Sequence, residues 1–331
     1  MLGLPAGEGA LPGAEFWDAP TACLRRAHLR GTRMTLDDVV ARMGWARLPD
    51  LRVAQLSGGI TNTNYRVDAG HESFVVRIPG RGSQRLGIDR DREHACTRAA
   101  AASGVAPPVA AFFPEGGVLV TRFVSGREPT AAEMHQPGAL RRVAAALRGY
   151  HEGPEFPGRF SPFDTVRDYA AAVGPSGAPI PARFDQMMER VERIEASLAS
   201  AGLRPCHNDL LLGNFLDGGG RLWVLDWEYA AMGDLFFDLG NFAANLQLDE
   251  TAERELLDAY FGRVTARAAA RLGLMRIVSE LREAMWAAVQ MTISEIEYDF
   301  AAYGRTHFER FAAGLADQRV PNWLRDASGP A

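Results

Sequence analysis

Two acidic motifs on either side of a glycine-rich turn constrain the fold more than any other part of the sequence. The first motif is Cys-His-Asn-Asp-Leu-Leu-Leu-Gly-Asn-Phe-Leu over residues 206–216, in which Asp209 is followed five residues later by Asn214. The second is Val-Leu-Asp-Trp-Glu over residues 224–228, where an apolar, strand-like segment ends in Asp226. The Asp-Gly-Gly-Gly-Arg between them is typical of a hairpin turn. A hairpin folds Asp226 back beside Asp209 and Asn214, and such hard oxygen ligands are those that Mg²⁺ accepts.

Together the two motifs resemble the catalytic and metal loops of the aminoglycoside phosphotransferase and choline kinase superfamily. The exact residues of the two motifs, Cys-His-Asn-Asp-Leu-Leu-x-Gly-Asn-Phe and Leu-Asp-Trp-Glu-Tyr, resemble those of the bacterial choline/ethanolamine kinase branch. The resemblance covers nearly all of the chain after Met34. It implies a protein-kinase-like α+β fold with two lobes, an N-lobe of antiparallel sheet plus helix and a mainly helical C-lobe. It also implies ATP- and Mg²⁺-dependent phosphorylation of a hydroxyl on choline, ethanolamine or a related amino alcohol.

The apolar and charged fractions of the chain are those of an ordinary soluble globular protein. The chain has 331 residues, enough for one large domain or two lobes with a core. Its net charge is −5, so nothing favours nucleic acid or an anionic membrane surface as a partner. No apolar run approaches the ~20 residues that span a bilayer, and the N-terminus lacks the basic region of a secretory signal. Cys23, Cys96 and Cys206 are widely spaced, which suits a reducing cytoplasm and argues against disulfides or zinc. We expect a cytoplasmic protein, and the sequence gives no indication of its oligomeric state.

The chain is expected to divide into three segments. Residues 1–33 are rich in Gly, Pro and Ala and are predicted to form a loose extension; an ordered strap is an equal alternative. Residues 34–124 are predicted to form the nucleotide-binding N-lobe, and residues 125–331 the catalytic and substrate-binding C-lobe. Met34 directly precedes a good helix start with acids in its first turn, so it is an alternative start of the native chain.

The N-lobe is predicted to open with three short antiparallel strands, over residues 53–56, 64–67 and 73–78. Between the first two lies a Gly-rich tip whose backbone N–H groups and small side chains suit phosphates. The resemblance makes it the nucleotide loop and assigns it these residues: Ser57, Gly58, Gly59, Thr61, Asn62 and Asn64.

Arg77 on the third strand takes the place that the fold gives to a phosphate-binding Lys. The sequence contains no lysine, so any role that kinases give to Lys falls to Arg here. An Arg fork holds two phosphate oxygens. The resemblance makes Glu93, in the next predicted helix, the ion partner of Arg77.

The resemblance also assigns roles in the catalytic centre. Asp209 is the candidate base or orienter of the attacking hydroxyl, and Asn214 and Asp226 are the candidate Mg²⁺ ligands. His207 and Asp238 are expected to support the catalytic loop, His207 by packing and Asp238 as the buried acid that holds the loop backbone. By period two Glu228 shares the side of Asp226, as a supporting or a substrate-facing acid.

The last third of the chain is expected to bind the acceptor. Trp286 and Tyr303 resemble the aromatic residues that line the choline pocket, and an aromatic box is the physical solution for a quaternary ammonium. Helix–helix core is the usual alternative for such residues. Choline kinases often carry a second Trp where this chain has Glu283, one turn before Trp286. A carboxylate there either pairs with a primary or secondary amine or faces solvent.

Two other functions remain open at the level of sequence. One is phosphorylation of an aminoglycoside, thiamine or a sugar. An aminoglycoside requires many acids, whereas the last third offers aromatics with few acids, which favours a single cation. The other is a nucleotide-binding pseudokinase, against which the joint presence of Asp209, Asn214 and Asp226 argues.

Overall fold

The computed structural model describes most of the chain after Arg33, in the ranges 34–56, 62–80, 83–174, 180, 184–198, 202–294 and 296–329. The predicted N-terminal extension lies outside these ranges. So do four of the residues predicted for the nucleotide loop: Ser57, Gly58, Gly59 and Thr61.

An antiparallel sheet forms the first part of the described fold. Its strand order is β1-β2-β3-β5-β4. The strands are β1 (Arg52–Gln55), β2 (Asn62–Ala69), β3 (Glu72–Pro79), β4 (Val109–Phe113) and β5 (Val118–Arg122). Two helices accompany the sheet, α1 (Leu36–Arg42) before it and α2 (Arg90–Ala102) between β3 and β4.

The period-two pattern of β3 decides which side chains face the core. Phe74, Val76 and Ile78 are buried against α1 and Trp45. Because successive side chains of a strand point to opposite faces, Arg77 emerges on the other side of the sheet. That is the side on which α2 contributes Glu93, so β3 directs its one cation away from the apolar core.

Helices and short hairpins make up the rest of the chain. The helices are α3 (Ala131–Met134), α4 (Pro137–His151), α5 (Pro162–Val173), α6 (Phe184–Leu198), α7 (Leu235–Asn245), α8 (Glu250–Phe261), α9 (Ala266–Ile293), α10 (Phe300–Leu315) and α11 (Val320–Ala327). The short strands pair as β6 (Arg204–Cys206) with β9 (Ala231–Gly233) and β7 (Phe215–Asp217) with β8 (Leu222–Val224). Among the described helices none is long and apolar enough to cross a membrane.

The predicted α+β fold is confirmed, with one local correction. The sheet and α2 precede the helical part, as two lobes require, and the boundary at residue 124 stays a prediction. The predicted hairpin around Asp217–Arg221 is present as β7–β8. However, β8 ends at Val224, so Asp226 and Glu228 are not alternate residues of one strand. The period-two argument that placed Glu228 beside Asp226 was therefore wrong.

Helix α9 is the centre of the C-terminal core, and α7 packs against it at very short range. A Cβ on Gly240 of α7 would lie 2.7 Å from the backbone nitrogen of Arg276 and 2.8 Å from the carbonyl carbon of Met275, both in α9. Real Cβ atoms do not come this close to backbone, so only glycine allows this separation of the two helices. The contact matters because α7 carries Asp238 and α9 carries Glu283 and Trp286.

Gly240→Ala should therefore push α7 away from α9. We expect the free energy of unfolding to fall by about 1–3 kcal/mol, because overpacking outweighs the better helix propensity of Ala. Urea unfolding measures the change. Gly138→Ala in α4 is the matched control, since its Cβ would meet nothing within 4 Å. Equal stability of the two variants would contradict the steric argument.

Candidate active site

The carboxylate of Asp238 fixes the backbone of the loop that carries Asp209. Asp238 lies in the first turn of α7 and is fully buried. It accepts hydrogen bonds from the backbone N–H groups of His207 at 2.8 Å and Asn208 at 2.7 Å. The two bonds clamp the loop at the residues directly before Asp209.

Two side chains of α4 complete the surroundings of Asp238. The Tyr150 hydroxyl donates to Oδ2 at 2.6 Å, and Nε2 of His151 lies 3.1 Å from the same oxygen. Burial alone would raise the pKa of Asp238, but hydrogen bonds from His151 and Tyr150 hold that pKa below its ordinary value. Asp238 therefore stays ionised in the core and keeps its full capacity to accept hydrogen bonds.

Two residues of the site adopt left-handed backbone that non-glycine residues rarely use. Asn208 has φ 67° and Asp226 has φ 60°. Such conformations cost of order 1 kcal/mol or more and persist where the surroundings determine them. The Asn208 side chain is anchored by its Nδ2, which donates to the carbonyl of Tyr229 at 3.0 Å. The strain turns the chain sharply at Asn208, immediately before Asp209.

The β7–β8 hairpin brings Asn214 and Asp226 together, as the sequence predicts. The backbone N–H of Leu225 donates to the carbonyl of Asn214 at 2.8 Å, which places Asp226 next along the chain. Nδ2 of Asn214 donates to the backbone carbonyl of Asp209 at 2.8 Å. The His207 ring packs against Trp227, and its Nε2 bonds to the Leu225 carbonyl at 2.8 Å.

The donor set of Asn214 and Asp226 fits Mg²⁺. Since the amide nitrogen of Asn214 is used in its bond to Asp209, the amide oxygen is the atom left for a cation. Asp226 adds a carboxylate whose side chain is 24% exposed. Carboxylate and amide oxygens are hard ligands, and Mg²⁺ commonly takes only one or two ligands from protein when phosphates and water supply the others.

A group of charged side chains lies between β3, α2 and the segment after β8 that carries Asp226. Arg77 forms ion pairs with both Glu93 and Asp226. Arg77 and Glu93 are buried to 11% and 2% side-chain exposure, so this pair is shielded from screening by solvent. The predicted Arg77–Glu93 pair is present, and the same guanidinium reaches the residue proposed as metal ligand. Asn64 is paired with Arg77 across β2 and β3.

Glu228 and Asn62 bond to each other, a contact that the sequence analysis did not predict. Nδ2 of Asn62 donates to Glu228 at 2.9 Å, and Arg90 contacts Glu228 at 3.1 Å and the Asn62 oxygen at 3.0 Å. Both residues are buried, at 6% and 3% exposure. Their side chains join β2 and α2 to the segment after β8. Glu228 was expected to be a supporting or a substrate-facing acid, and these contacts are those of a supporting one. The nucleotide contact expected of Asn62 stays a prediction. Burial raises the pKa of Glu228 to about 7, with Asp226 adding to the rise and Arg90 and Arg77 opposing it.

Arg282 of α9 is the functional residue that the sequence analysis missed. Its Nη1 lies 2.9 Å from Oδ1 of Asp209 and 2.6 Å from Oε1 of Glu283. Arg282 is 1% exposed, and its guanidinium carbon stacks 4.4 Å from the ring centroid of Tyr229. Burial raises the pKa of Asp209 to about 7; Arg282 opposes the rise, whereas Glu283, Asp226 and Glu228 add to it.

Aromatic side chains surround Glu283 on the α10 side of this cluster. Trp286 and Tyr303 have ring centroids 5.7 Å apart, and the Tyr303 hydroxyl donates to Oε2 of Glu283 at 3.0 Å. Nε1 of Trp286 donates to the Tyr229 hydroxyl at 3.2 Å. Glu283 is 2% exposed, so the alternative that it faces solvent is wrong. Trp286 is 7% exposed and belongs to the apolar core as well as to this cluster.

Two features of the sequence point to the missed residues Arg282 and Tyr229. Arg282 precedes Glu283 and lies four residues before Trp286, the spacing of neighbours on one helix face. Tyr229 directly follows the second acidic motif. No local signal shows that Arg282 contacts Asp209, because 73 residues separate them.

Comparison with known proteins places this geometry in a described family. A model of the phosphotransferase enzyme family matches residues 52–272. Protein LicA of Haemophilus influenzae is 30% identical over 208 residues, which is 61% of this chain and 61% of the length of LicA. The match thus spans about three fifths of that relative.

Two further proteins are similar over more of the chain. A probable ethanolamine kinase A of Dictyostelium discoideum is 26% identical over 301 residues, 79% of this chain and 85% of its own length. The crystal structure of a choline/ethanolamine kinase family protein from Mesorhizobium loti superposes with a TM-score of 0.75 at 30% identity. It covers 87% of this chain and 98% of that one.

Asp238→Asn tests the clamp on the catalytic loop. One carboxylate oxygen becomes an NH₂ group that faces donors, so we expect the free energy of unfolding to fall by about 1–3 kcal/mol. We also expect faster amide hydrogen exchange at His207 and Asn208, because their acceptors are weakened. Asp258→Asn on the exposed face of α8 is the matched control. Unchanged exchange at both amides would show that Asp238 does not hold the loop.

Proposed function

Since the chain belongs to the phosphotransferase enzyme family, and within it to the choline/ethanolamine kinase branch, we propose that it phosphorylates the hydroxyl of choline, ethanolamine or a related amino alcohol with ATP. The resemblance inferred from the two acidic motifs is confirmed at the level of family, fold and enzyme class. The enzyme is a phosphotransferase that acts on a small molecule. The nucleotide, the metal and the acceptor are the parts that we propose.

The observation that carries the proposal is the position of Asp209 between two unlike half-sites. On one side the backbone carbonyl of Asp209 accepts a hydrogen bond from the Asn214 side chain. The backbone carbonyl of Asn214 in turn bonds to Leu225, the residue before Asp226, and Asp226 is paired with Arg77. On the other side the carboxylate of Asp209 contacts Arg282, beside the aromatic cluster of α9 and α10. A phosphate donor and an alcohol acceptor require such a pair of half-sites with a carboxylate at their junction.

Asp209 acts on the acceptor hydroxyl in this proposal. Phosphoryl transfer depends on positioning and charge neutralisation more than on a strong base, so a carboxylate suffices. Asp209 orients the hydroxyl and accepts its proton as the new P–O bond forms. The bond between the γ-phosphorus and its bridging oxygen breaks, and ADP leaves.

Arg77 and the predicted loop of Ser57, Gly58, Gly59, Thr61 and Asn64 bind the nucleotide in this proposal. The guanidinium of Arg77 offers a fork to phosphate oxygens, and Glu93 orients that fork through their ion pair. Asn214 and Asp226 hold Mg²⁺. The bound ion would supply positive charge against the negative charge of the phosphates.

Trp286, Tyr303 and Glu283 receive the amine end of the acceptor. Aromatic faces attract a cation, and a nearby carboxylate adds charge and accepts hydrogen bonds from a primary or secondary amine. The contact of Tyr303 with Glu283 and the short distance from Trp286 to Tyr303 support a single amine site. Tyr229, which hydrogen-bonds Trp286, extends the aromatic surface towards Asp209.

Asp209→Asn should abolish phosphate transfer while nucleotide binding survives. We expect kcat to fall by at least about 100-fold, because general-base and orienting groups contribute that much. The affinity for Mg²⁺–ATP, measured by calorimetry, should change by less than about threefold, since Asp209 is not a proposed ligand of either. Loss of folding in thermal unfolding would make Asp209 structural instead.

The acceptor is identified by Mg²⁺–ATP turnover on choline, ethanolamine, methylated ethanolamines, thiamine and kanamycin. We expect turnover of an amino alcohol, and Trp286→Leu should raise its KM by about 3–30-fold through loss of cation–π attraction. The KM for ATP should be unchanged in the same variant. An unchanged amine KM would remove Trp286 from the pocket, and turnover of none of the panel would contradict the proposed acceptor class.

A further inference from the structure

The proposed amine site already contains a cation that belongs to the protein. Arg282 stacks on the face of Tyr229 and shares its Nη1 between Asp209 and Glu283. These are the contacts that a box of aromatic rings and acids would offer to an ammonium group. A quaternary ammonium would therefore meet a fixed positive charge beside the residue that orients its hydroxyl. Within the proposed class of amino alcohols, this charge disfavours choline relative to a substrate that also carries a negative group.

The same guanidinium holds hydrogen-bonding capacity that nothing in the described chain uses. Arg282 is 1% exposed, and within the described residues its Nε and Nη2 are buried without a hydrogen-bond partner. Buried polar groups are normally satisfied, and an unsatisfied charged donor is costly. Nε and Nη2 lie on one edge of the planar fork, the arrangement that meets both oxygens of a carboxylate.

We propose that Arg282 makes the pocket select an amino alcohol that also carries a carboxylate, that is, a hydroxy amino acid. The inference rests on the proposed function and names the substrate class of the same site. Arg282 receives the carboxylate, Glu283 and the aromatic rings receive the ammonium, and Asp209 orients the hydroxyl. Arg282 is thereby a specificity residue as well as the ion partner of Asp209.

The geometry limits the distance between the two ends of such a substrate. Nη1 of Arg282 is 2.9 Å from Oδ1 of Asp209, and Nε and Nη2 belong to the same guanidinium group. The edge that they form is therefore separated from the proposed hydroxyl site only by the width of that group. A carboxylate on that edge and a hydroxyl at Asp209 are then separated by only a few bonds. Small 2-amino acids with a hydroxyl at carbon 3 or 4 have this length.

Matched substrate pairs that differ by one carboxylate test the proposal. Serine is ethanolamine with a carboxylate added, and homoserine bears the same relation to 3-amino-1-propanol. The measurement is the ratio of kcat/KM for the acid to kcat/KM for the plain amine, with Mg²⁺–ATP at saturation. We expect a ratio of at least about tenfold in the unmodified enzyme, because a site built to bind a polar group discriminates against the analogue that lacks it.

Arg282→Met removes the charge at similar length and should lower this ratio by about 10–100-fold. Arg282→Lys keeps the charge but loses the fork, so an intermediate ratio is expected. Any effect of the substitution that acts only through Asp209 changes the rate for both substrates of a pair and cancels in the ratio.

Arg276→Met is the matched control on the same helix. Arg276 is paired with Glu253 and stands outside the site, so its ratio should be that of the unmodified enzyme. Thermal unfolding checks that each variant is folded.

The outcomes separate the inference from the function on which it rests. Turnover of ethanolamine or choline at least as efficient as that of the acids, or an unchanged ratio in Arg282→Met, overturns the role of Arg282 and leaves the amino alcohol kinase intact. Should the variants fail to fold, the ratio of the unmodified enzyme decides alone. Binding of ATP without turnover of any pair or of choline overturns both.

Discussion

The active site depends on one buried carboxylate. Asp238 accepts the backbone N–H groups of two consecutive loop residues, and it is itself held ionised by Tyr150 and His151. Without that acceptor the left-handed turn at Asn208 keeps only its side-chain bond to Tyr229, and the position of Asp209 is less firmly fixed. Asp238 lies in α7, and Gly240 of the same helix allows close contact with α9. The packing of these two helices therefore helps to set the position of the loop that carries Asp209.

Charges reach the site from five parts of the chain, and three guanidinium groups contact five carboxylates. Arg77 of β3 pairs with Glu93 and Asp226, Arg90 of α2 pairs with Glu228, and Arg282 of α9 pairs with Asp209 and Glu283. Such pairs are costly to bury unless each partner is satisfied. In a chain without lysine every one of these cations is an Arg, which can bind two partners at once and so connect separate segments. The ion pairs therefore connect the sheet and the helices to the loops of the site.

The proposed acceptor side differs in character from the proposed nucleotide side. Phosphate recognition can use backbone groups and one Arg fork, whereas the acceptor cluster uses aromatic rings, one carboxylate and the stacked guanidinium of Arg282. Family membership fixes the reaction class, but the family relatives do not determine the acceptor at 26–30% identity. The side chains that surround the acceptor hydroxyl have to decide it, and Arg282 is the one whose chemistry departs from that of a simple ammonium site.

Local sequence determined the reacting groups. The spacing of Asp209, Asn214 and Asp226 around a glycine turn specifies a hairpin, and a hairpin brings its ends together whatever the rest of the fold does. Arg77 follows in the same way from the alternation of β3. Only the tertiary structure decided the partners. Arg282 meets Asp209, and Asn62 meets Glu228, across 73 and 166 residues, because helix packing and sheet docking bring them together. No period or motif encodes such long-range contacts, so packing decided which partners Arg282 and Asn62 meet.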